Sequence, residues 1–316
     1  MTSNFDLIIP YVKPLAPLIA DEEVSEIMVN ASGVVFVERD GRLSAMNGLV
    51  IPERQRQAAV RNIARLLGDD IDEQRPLLDA RLPDGSRVAA VMPPASVGGT
   101  ILNIRKFRAK VFTAAELVRR GMMSPGILGT LQRAIEARKT ILISGGTGSG
   151  KTTLLNALAA FLPQDERIVL IEDTAEISIE TPNLVRLEAR RAQPDMPAIS
   201  IRDLLRQTLR LRPDRIILGE VRGAEAFDLL QALNTGHTGT LSTIHSNSAR
   251  LAVERLRTCI SVAGAGLPDH AIARNIAEVV NVLVHIERRG GHRAVCEVVK
   301  LGRYDASRDS YEFQEV

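Results

Sequence analysis

Apolar positions recur along this chain with two different periods. In the first third, "GVVFVERDGRLSAM" alternates apolar and polar residues on both sides of Asp40-Gly41 and predicts a β-hairpin. "PERQRQAAVRNIARLLG" then places Ala59, Ile63, Leu66 and Leu67 at helical spacing, with Gly68 as the stop. "LLDARLPDGSRVAAVMPP" predicts a second hairpin turning at Pro83-Asp84-Gly85, and "GGTILNIRKF" a closing strand. These elements describe a small α+β domain over residues 1–108.

Residues 109–113 read as a linker, and "RAKVFTAAELVRRG" leads through it into a helix. From residue 114 to 316 the pattern changes. Short apolar strands ("KTILIS", "RIVLIE", "DRIILGE", "GTLSTI") alternate with helices ("KTTLLNALAAFL", "SIRDLLRQTLRLR", "AEAFDLLQALNT"). That alternation predicts an α/β domain with a mostly parallel sheet covered on both faces. The closing "NVLVHIERRGGHRAVCEVVKL" reads as an antiparallel hairpin at Gly290-Gly291, capping one edge of the sheet.

Composition narrows the function classes. Trp is absent and aromatics are 3%, which argues against a stacking platform for single-stranded nucleic acid. A net charge of +2, from 40 basic and 38 acidic side chains, implies no polyanionic partner by itself. Cys259 and Cys296 form no CxxC and no zinc-ligand spacing, and read as small apolar packing residues in a reducing compartment. The N-terminus lacks a basic region followed by a long apolar core, and no apolar run approaches the ~18 residues of a membrane span. The expectation is a cytosolic chain that meets membranes only through a partner or a surface.

The chemistry concentrates after residue 144. "GGTGSGKTT" supplies Gly145, Gly146, Thr147, Gly148, Ser149, Gly150, Lys151, Thr152 and Thr153, a match to G-x-x-x-x-G-K-[ST] between a strand and a helix. Glycines let successive N–H groups point inward at phosphate oxygens, and the helix N-terminus adds positive potential. Lys151 then bridges the β- and γ-phosphates of ATP, and the Thr152 hydroxyl ligates Mg²⁺. Glu172 and Asp173 end one strand, with Glu176 further on, and Glu220 ends another; ligands gather at the carboxyl ends of strands in such sheets. Asp173 also reads as a helix N-cap and Glu176 as a solvated acid. Arg105, Arg108, Arg190, Arg191 and Arg222 are candidates for an arginine supplied across a domain or subunit boundary, although each alone also reads as a surface residue.

His237 and His245 stand eight apart in "GHTGTLSTIHSNSA". In an extended chain they would share a face, but Gly236 and Gly239 predict a turn at His237. Neither cysteine lies nearby, and His270, His285 and His292 show no motif, so a zinc site is disfavoured. Ser242 or Ser246 beside His245 lacks the G-x-S-x-G of a hydrolase elbow.

Taken in order, "GGTGSGKTTLLNAL", "IVLIEDTAEI", "RPDRIILGEVRG" and "GHTGTLSTIHSNSA" resemble the Walker A, Asp box, Walker B and His box of the secretion traffic ATPases. These are hexameric motors of type II and type IV secretion, pilus assembly and conjugation. Compact size and the lack of a tetracysteine zinc module favour the type IV branch and its TrbB-type conjugal-transfer members. The resemblance implies a RecA-like P-loop NTPase C-terminal domain preceded by the smaller α+β domain, in a homo-hexamer that uses ATP and Mg²⁺. It implies that Glu172 polarises the attacking water and that Glu220 serves the metal side with Thr152, a division the two acids could exchange. His237 and His245 correspond to His-box residues near the γ-phosphate or at the subunit seam. Arg105 and Arg108 match the place where the N-terminal domain reaches the nucleotide. The Walker B strand ends in Glu220 rather than the Asp usual in P-loop proteins, and Asp214 precedes that strand, away from the metal. Implied partners are inner-membrane secretion or conjugation components, met at the cytoplasmic face. A RecA-like translocase acting directly on DNA, a type II secretion or pilus motor and a nucleotide-gated scaffold are the alternatives; Glu172 together with Glu220 counts against the scaffold.

Overall fold

A computed structural model describes every residue except 1–7, 40, 108–111, 191, 193–195, 265 and 291. Asp40, Arg108, Arg191 and Gly291 therefore lie outside the described residues. The chain divides into two units, Met1–Ala109 and Lys110–Val316, each with its own sheet.

In the first unit the alternating segments become strands β1 (Val24–Val29), β2 (Val34–Arg39), β3 (Arg42–Val50), β4 (Leu77–Arg81), β5 (Arg87–Val91) and β6 (Ile101–Arg105). Both predicted hairpins form, β2 with β3 and β4 with β5. The strand read from "GGTILNIRKF" is central: β6 pairs β1 and β5, giving the order β3-β2-β1-β6-β5-β4. Helices α1 (Ala16–Ala20) and α2 (Glu53–Leu66) supply Leu18, Val60, Ile63 and Ala64 to a core shared with Ile27, Val37 and Ile104. Ala59 and Ile63 are buried as expected, but Leu66 is exposed. The buried stripe runs through 59, 60, 63 and 64, and Leu66, in the last turn of α2, falls just beyond its edge, about 90° from its centre at 3.6 residues per turn. Arg56, also buried, ties α2 to the sheet by donating to the carbonyl oxygens of Thr100 (2.9 Å), Ala31 and Ile51, while Glu53 accepts from the Thr100 N–H at 3.0 Å. Its desolvated guanidinium is thereby satisfied.

The second unit holds β7 (Ile141–Ser144), β8 (Ile168–Glu172), β9 (Leu184–Glu188), β10 (Arg215–Val221), β11 (Leu241–Ile244), β12 (Val282–Arg289), β13 (His292–Asp305) and β14 (Ser310–Glu315). Their order is β14-β13-β12-β7-β11-β10-β8-β9. Pairing is parallel from β12 to β9 and antiparallel through β12, β13 and β14. The closing hairpin does cap an edge of the parallel sheet, and β14 extends it. The helices are α3 (Ala114–Arg119), α4 (Pro125–Glu136), α5 (Lys151–Ala159), α6 (Ile201–Thr208), α7 (Glu225–Asn234), α8 (Ala249–Val262) and α9 (Asp269–Val279).

Strand residues alternate between two cores. Ile141, Ile143, Ile168, Leu170 and Ile217 pack with α3, α4 and α5, whereas Leu142, Val169, Ile171, Ile216 and Leu218 pack with α6 to α9. Each such fully buried side chain contributes roughly 1.5–3 kcal/mol, which is why these strands read as continuous apolar runs rather than alternating ones. The predicted helix "SIRDLLRQTLRLR" stops at Thr208; Arg212 takes φ 53 before Pro213, a position from which proline excludes the helical conformation. The whole is a mixed α/β fold with two sheets. No described helix is long and apolar enough to cross a membrane.

Candidate active site

Parallel register sets the carboxyl ends of four strands side by side. Ser144 pairs Ile244, and Ile171 pairs Leu218, so β7, β11, β10 and β8 end together at one edge of the sheet. The glycine loop leaves β7 there and enters α5. Gly150, the residue before α5, has φ 103, which an L side chain would strain against. At Gly145 a Cβ would run into the Ile286 carbonyl and Ser149 Oγ. The loop therefore curls tightly onto the start of α5, whose first N–H groups have no partner within the helix. Lys151 is buried and donates from Nζ to the carbonyl oxygens of Gly145 (3.0 Å) and Gly146 (2.9 Å). Burial lowers its pKa, against the opposing charge of Glu220. Thr152 and Thr153 are half-buried in the first turn, and Ser149 Oγ is buried with no hydrogen-bond partner.

Glu172 closes β8 and is only 4% exposed. Its Oε1 accepts the N–H groups of Glu176 and Ile177, both at 2.8 Å. Burial pushes its carboxyl up to about 7, against the pull of those two donors. Glu220 lies near the end of β10, with Oε2 2.5 Å from Arg222 Nε and Oε1 2.9 Å from His245 Nε2. The histidine contact is within ion-pairing distance but off hydrogen-bond alignment, so the buried Oε1 keeps an unused lone pair. Arg222 also reaches Asp173 with Nη1 at 3.0 Å and so bridges the ends of β10 and β8 from within the same chain. Asp173 is thus an ion-pair partner rather than an N-cap. Burial, with the nearby charge of Lys151, lowers the His245 pKa, while Glu220 opposes the shift.

These residues fit a phosphate and a hydrated divalent cation. The glycine cradle and Lys151 suit phosphate oxygens. Thr152 and the unused Glu220 Oε1 are hard oxygen donors of the kind Mg²⁺ takes one or two of, with water and phosphate completing its shell. No cluster of three or more His, Cys, Asp or Glu suited to a metal occurs among the described residues.

His237 stands in a turn before β11, at the opposite end of that strand from His245; its Nδ1 is 3.1 Å from the Ala232 carbonyl oxygen. The turn itself forms as predicted, with φ 99 at Gly236 and φ 81 at Gly239. Arg105 is exposed at the end of β6 in the first unit. Arg190 donates to the Pro197 carbonyl at 3.1 Å, and Asp214 accepts the Arg167 N–H at 2.7 Å. Ser242 is buried within β11, and Ser246 donates to the Ser248 carbonyl, so neither pairs with His245. Cys259 is buried as expected, but Cys296 is exposed. The register steps from His285↔Glu297 to Ile286↔Val295, which leaves Cys296 as the extra residue of a β-bulge. Sequence reading missed Arg293, which donates from Nε to the Gly148 carbonyl at 3.1 Å. Only the sheet order brings β13 near the loop, and no local pattern signals it.

A family model described as "Type II/IV secretion system protein" matches residues 11–298. The chain belongs to that family. This secretion-family chain is 38% identical over 288 residues to the conjugal transfer protein TrbB of Rhizobium radiobacter, covering 90% of this chain and 85% of that protein. It is 36% identical over 317 residues to the type IV secretion system protein PtlH homolog of Bordetella bronchiseptica, covering 92% and 93%. Among solved structures it is similar to the VirB11 ATPase of the Brucella suis type IV secretion system, crystallised with sulphate, at 31% identity and TM-score 0.50 over 93% of this chain and 94% of that one. The Legionella pneumophila ATPase DotB shares the fold at 22% identity and TM-score 0.65, covering 94% of this chain and 82% of that one. With its P-loop and this membership, the chain is a secretion ATPase.

Proposed function

We propose that this ATPase is a homo-hexameric motor of a type IV secretion or conjugation apparatus, built on a RecA-like C-terminal domain and working at the cytoplasmic face of the inner membrane. The observation that carries the reading is the convergence of Lys151, Glu172, Glu220 and His245 at one edge of the parallel sheet. The names of its relatives, conjugal transfer protein TrbB and type IV secretion protein PtlH, point to the same apparatus.

Lys151 exchanges the Gly145 and Gly146 carbonyls for the β- and γ-phosphates of ATP. Thr152 and Glu220 hold Mg²⁺, which when bound neutralises charge on those phosphates. Glu172, with its carboxyl near 7, is matched to accept a proton from, and so orient, the attacking water. Arg222 holds Glu220 and Asp173 in place, and His245 senses the γ-phosphate through Glu220. Arg105 serves the nucleotide from the N-terminal domain, and His237 serves the subunit seam. Light scattering in ATP and Mg²⁺ tests the assembly: a hexamer mass is expected, and a monomer with full turnover would reject the ring.

A further inference from the structure

Beneath the P-loop lies a buried polar pair that this chemistry does not use. Ser144 is the last residue of β7, and its neighbour on β12 is His285. His285 is 3% exposed and Ser144 fully buried. Ser144 Oγ lies 2.9 Å from His285 Nδ1, 3.1 Å from the Val284 carbonyl oxygen and 3.3 Å from that of Ser248. On its other side, His285 Nε2 is 3.3 Å from Glu287 Oε1. A Glu–His–Ser line thus ends on the residue before Gly145.

An apolar pair would fill this space without desolvating a hydroxyl and an imidazole, as Ile143 and Val284 do beside it. What a hydrogen bond adds is direction: it fixes where the end of β7 sits against β12. The same hairpin grips the loop further on. The Ile286 carbonyl leaves no space for a side chain at Gly145, and the Ile286 Cδ1 is 3.4 Å from where a Gly150 Cβ would stand. Arg293 of β13 donates to Gly148. Glu297 of β13 accepts the Ala249 N–H at 2.8 Å, holding the segment that follows His245.

We propose that Ser144 and His285 are positioning residues for the nucleotide phosphates. They lock the base of the P-loop to the C-terminal hairpin, so that its N–H groups are aimed before ATP arrives. The inference rests on reading the loop as the nucleotide site.

The test uses the full chain in four variants: His285→Leu, Ser144→Ala, His285→Asn and Lys151→Ala. His285→Asn keeps a polar atom near the Nδ1 position. Dissociation constants for a fluorescent non-hydrolysable ATP analogue with Mg²⁺ are measured beside kcat, KM and thermal midpoint. Loss of one orienting hydrogen bond should raise Kd and KM about tenfold in His285→Leu and Ser144→Ala, with kcat within about threefold. His285→Asn should recover most of the affinity. Unchanged Kd and KM in both variants, whatever their melting temperatures, would overturn the proposal and reduce the pair to core filling. Should His285→Leu fail to fold, Ser144→Ala decides alone, since it removes a single hydroxyl. If Lys151→Ala bound the analogue like the unmodified protein, the nucleotide-site reading itself would fail. If Lys151→Ala loses binding while the other variants keep it, only the positioning role is lost.

Discussion

Replacing Glu172 by Gln should make the protein more stable and less active, and the size of the gain should depend on pH. Glu172 is buried at the end of β8, and its carboxyl sits at about 7 against an ordinary value of 4.5. At 1.36 kcal/mol per unit, holding this group ionised in the fold costs about 3 kcal/mol relative to its protonated form. The folded pKa lies above the unfolded one. The stabilisation from the protonated form is therefore fully present below pH 4.5 and is lost as pH rises through about 7. Gln imitates the protonated form, and its carbonyl oxygen still accepts the N–H groups of Glu176 and Ile177. The variant and its parent should therefore match in stability near pH 4.5 and diverge by up to about 3 kcal/mol at pH 8.5, a gain on the order of 6–12 °C for a unit of this size. Thermal melts across that range supply the assay. Hydrolysis should fall about 10²–10⁴-fold above pH 7, with the gap narrowing at lower pH as Glu172 of the parent protonates, and the rise in kcat/KM centred near pH 7 should vanish. A stability difference that does not change with pH, or a variant that still hydrolyses ATP with the parent's pH profile, would refute the reasoning.

Arg222→Ala removes the cation that occupies Glu220 Oε2, so turnover should saturate at several-fold lower Mg²⁺ while kcat falls. A higher Mg²⁺ requirement would contradict that competition. His245→Ala should lower kcat about tenfold or more while leaving affinity for an ATP analogue within about twofold, and loss of binding would mean His245 belongs to the phosphate cradle. Gly239→Ala places a Cβ 2.7 Å from Arg215 Nη1 at φ 81, and should cost about 1–3 kcal/mol in a urea melt; an unchanged midpoint would show that the buried Arg215 can move aside.

Much of the fold was written in local pattern. The hairpins at Gly41 and Gly85 were legible because period-two alternation breaks at turn residues. The buried strands β7, β8, β10 and β11 were legible because both faces are apolar. Strand β9 was not, since "LVRLE" sits at a sheet edge where two of its five residues are exposed, none is fully buried, and no continuous apolar run forms. Nor does any window of sequence show that β6 is central or that β12 lies beside β7, because strand order is set by packing across the whole sheet. The same limit applies to the site. Strand ends announce Glu172 and Glu220, and the glycine spacing announces Lys151. The strand predicted from "GTLSTI" already sets His237 and His245 at its two ends, but that Arg222 reaches Asp173 within one chain and that Arg293 touches Gly148 depend on side-chain reach between distant segments.

The most direct measurement is steady-state ATP hydrolysis by the purified chain with Mg²⁺, compared with Lys151→Ala under the same conditions. The account predicts turnover by the parent and a loss of at least about 100-fold in the variant, because the cation that meets the phosphates is gone. Equal rates in the two proteins would contradict it.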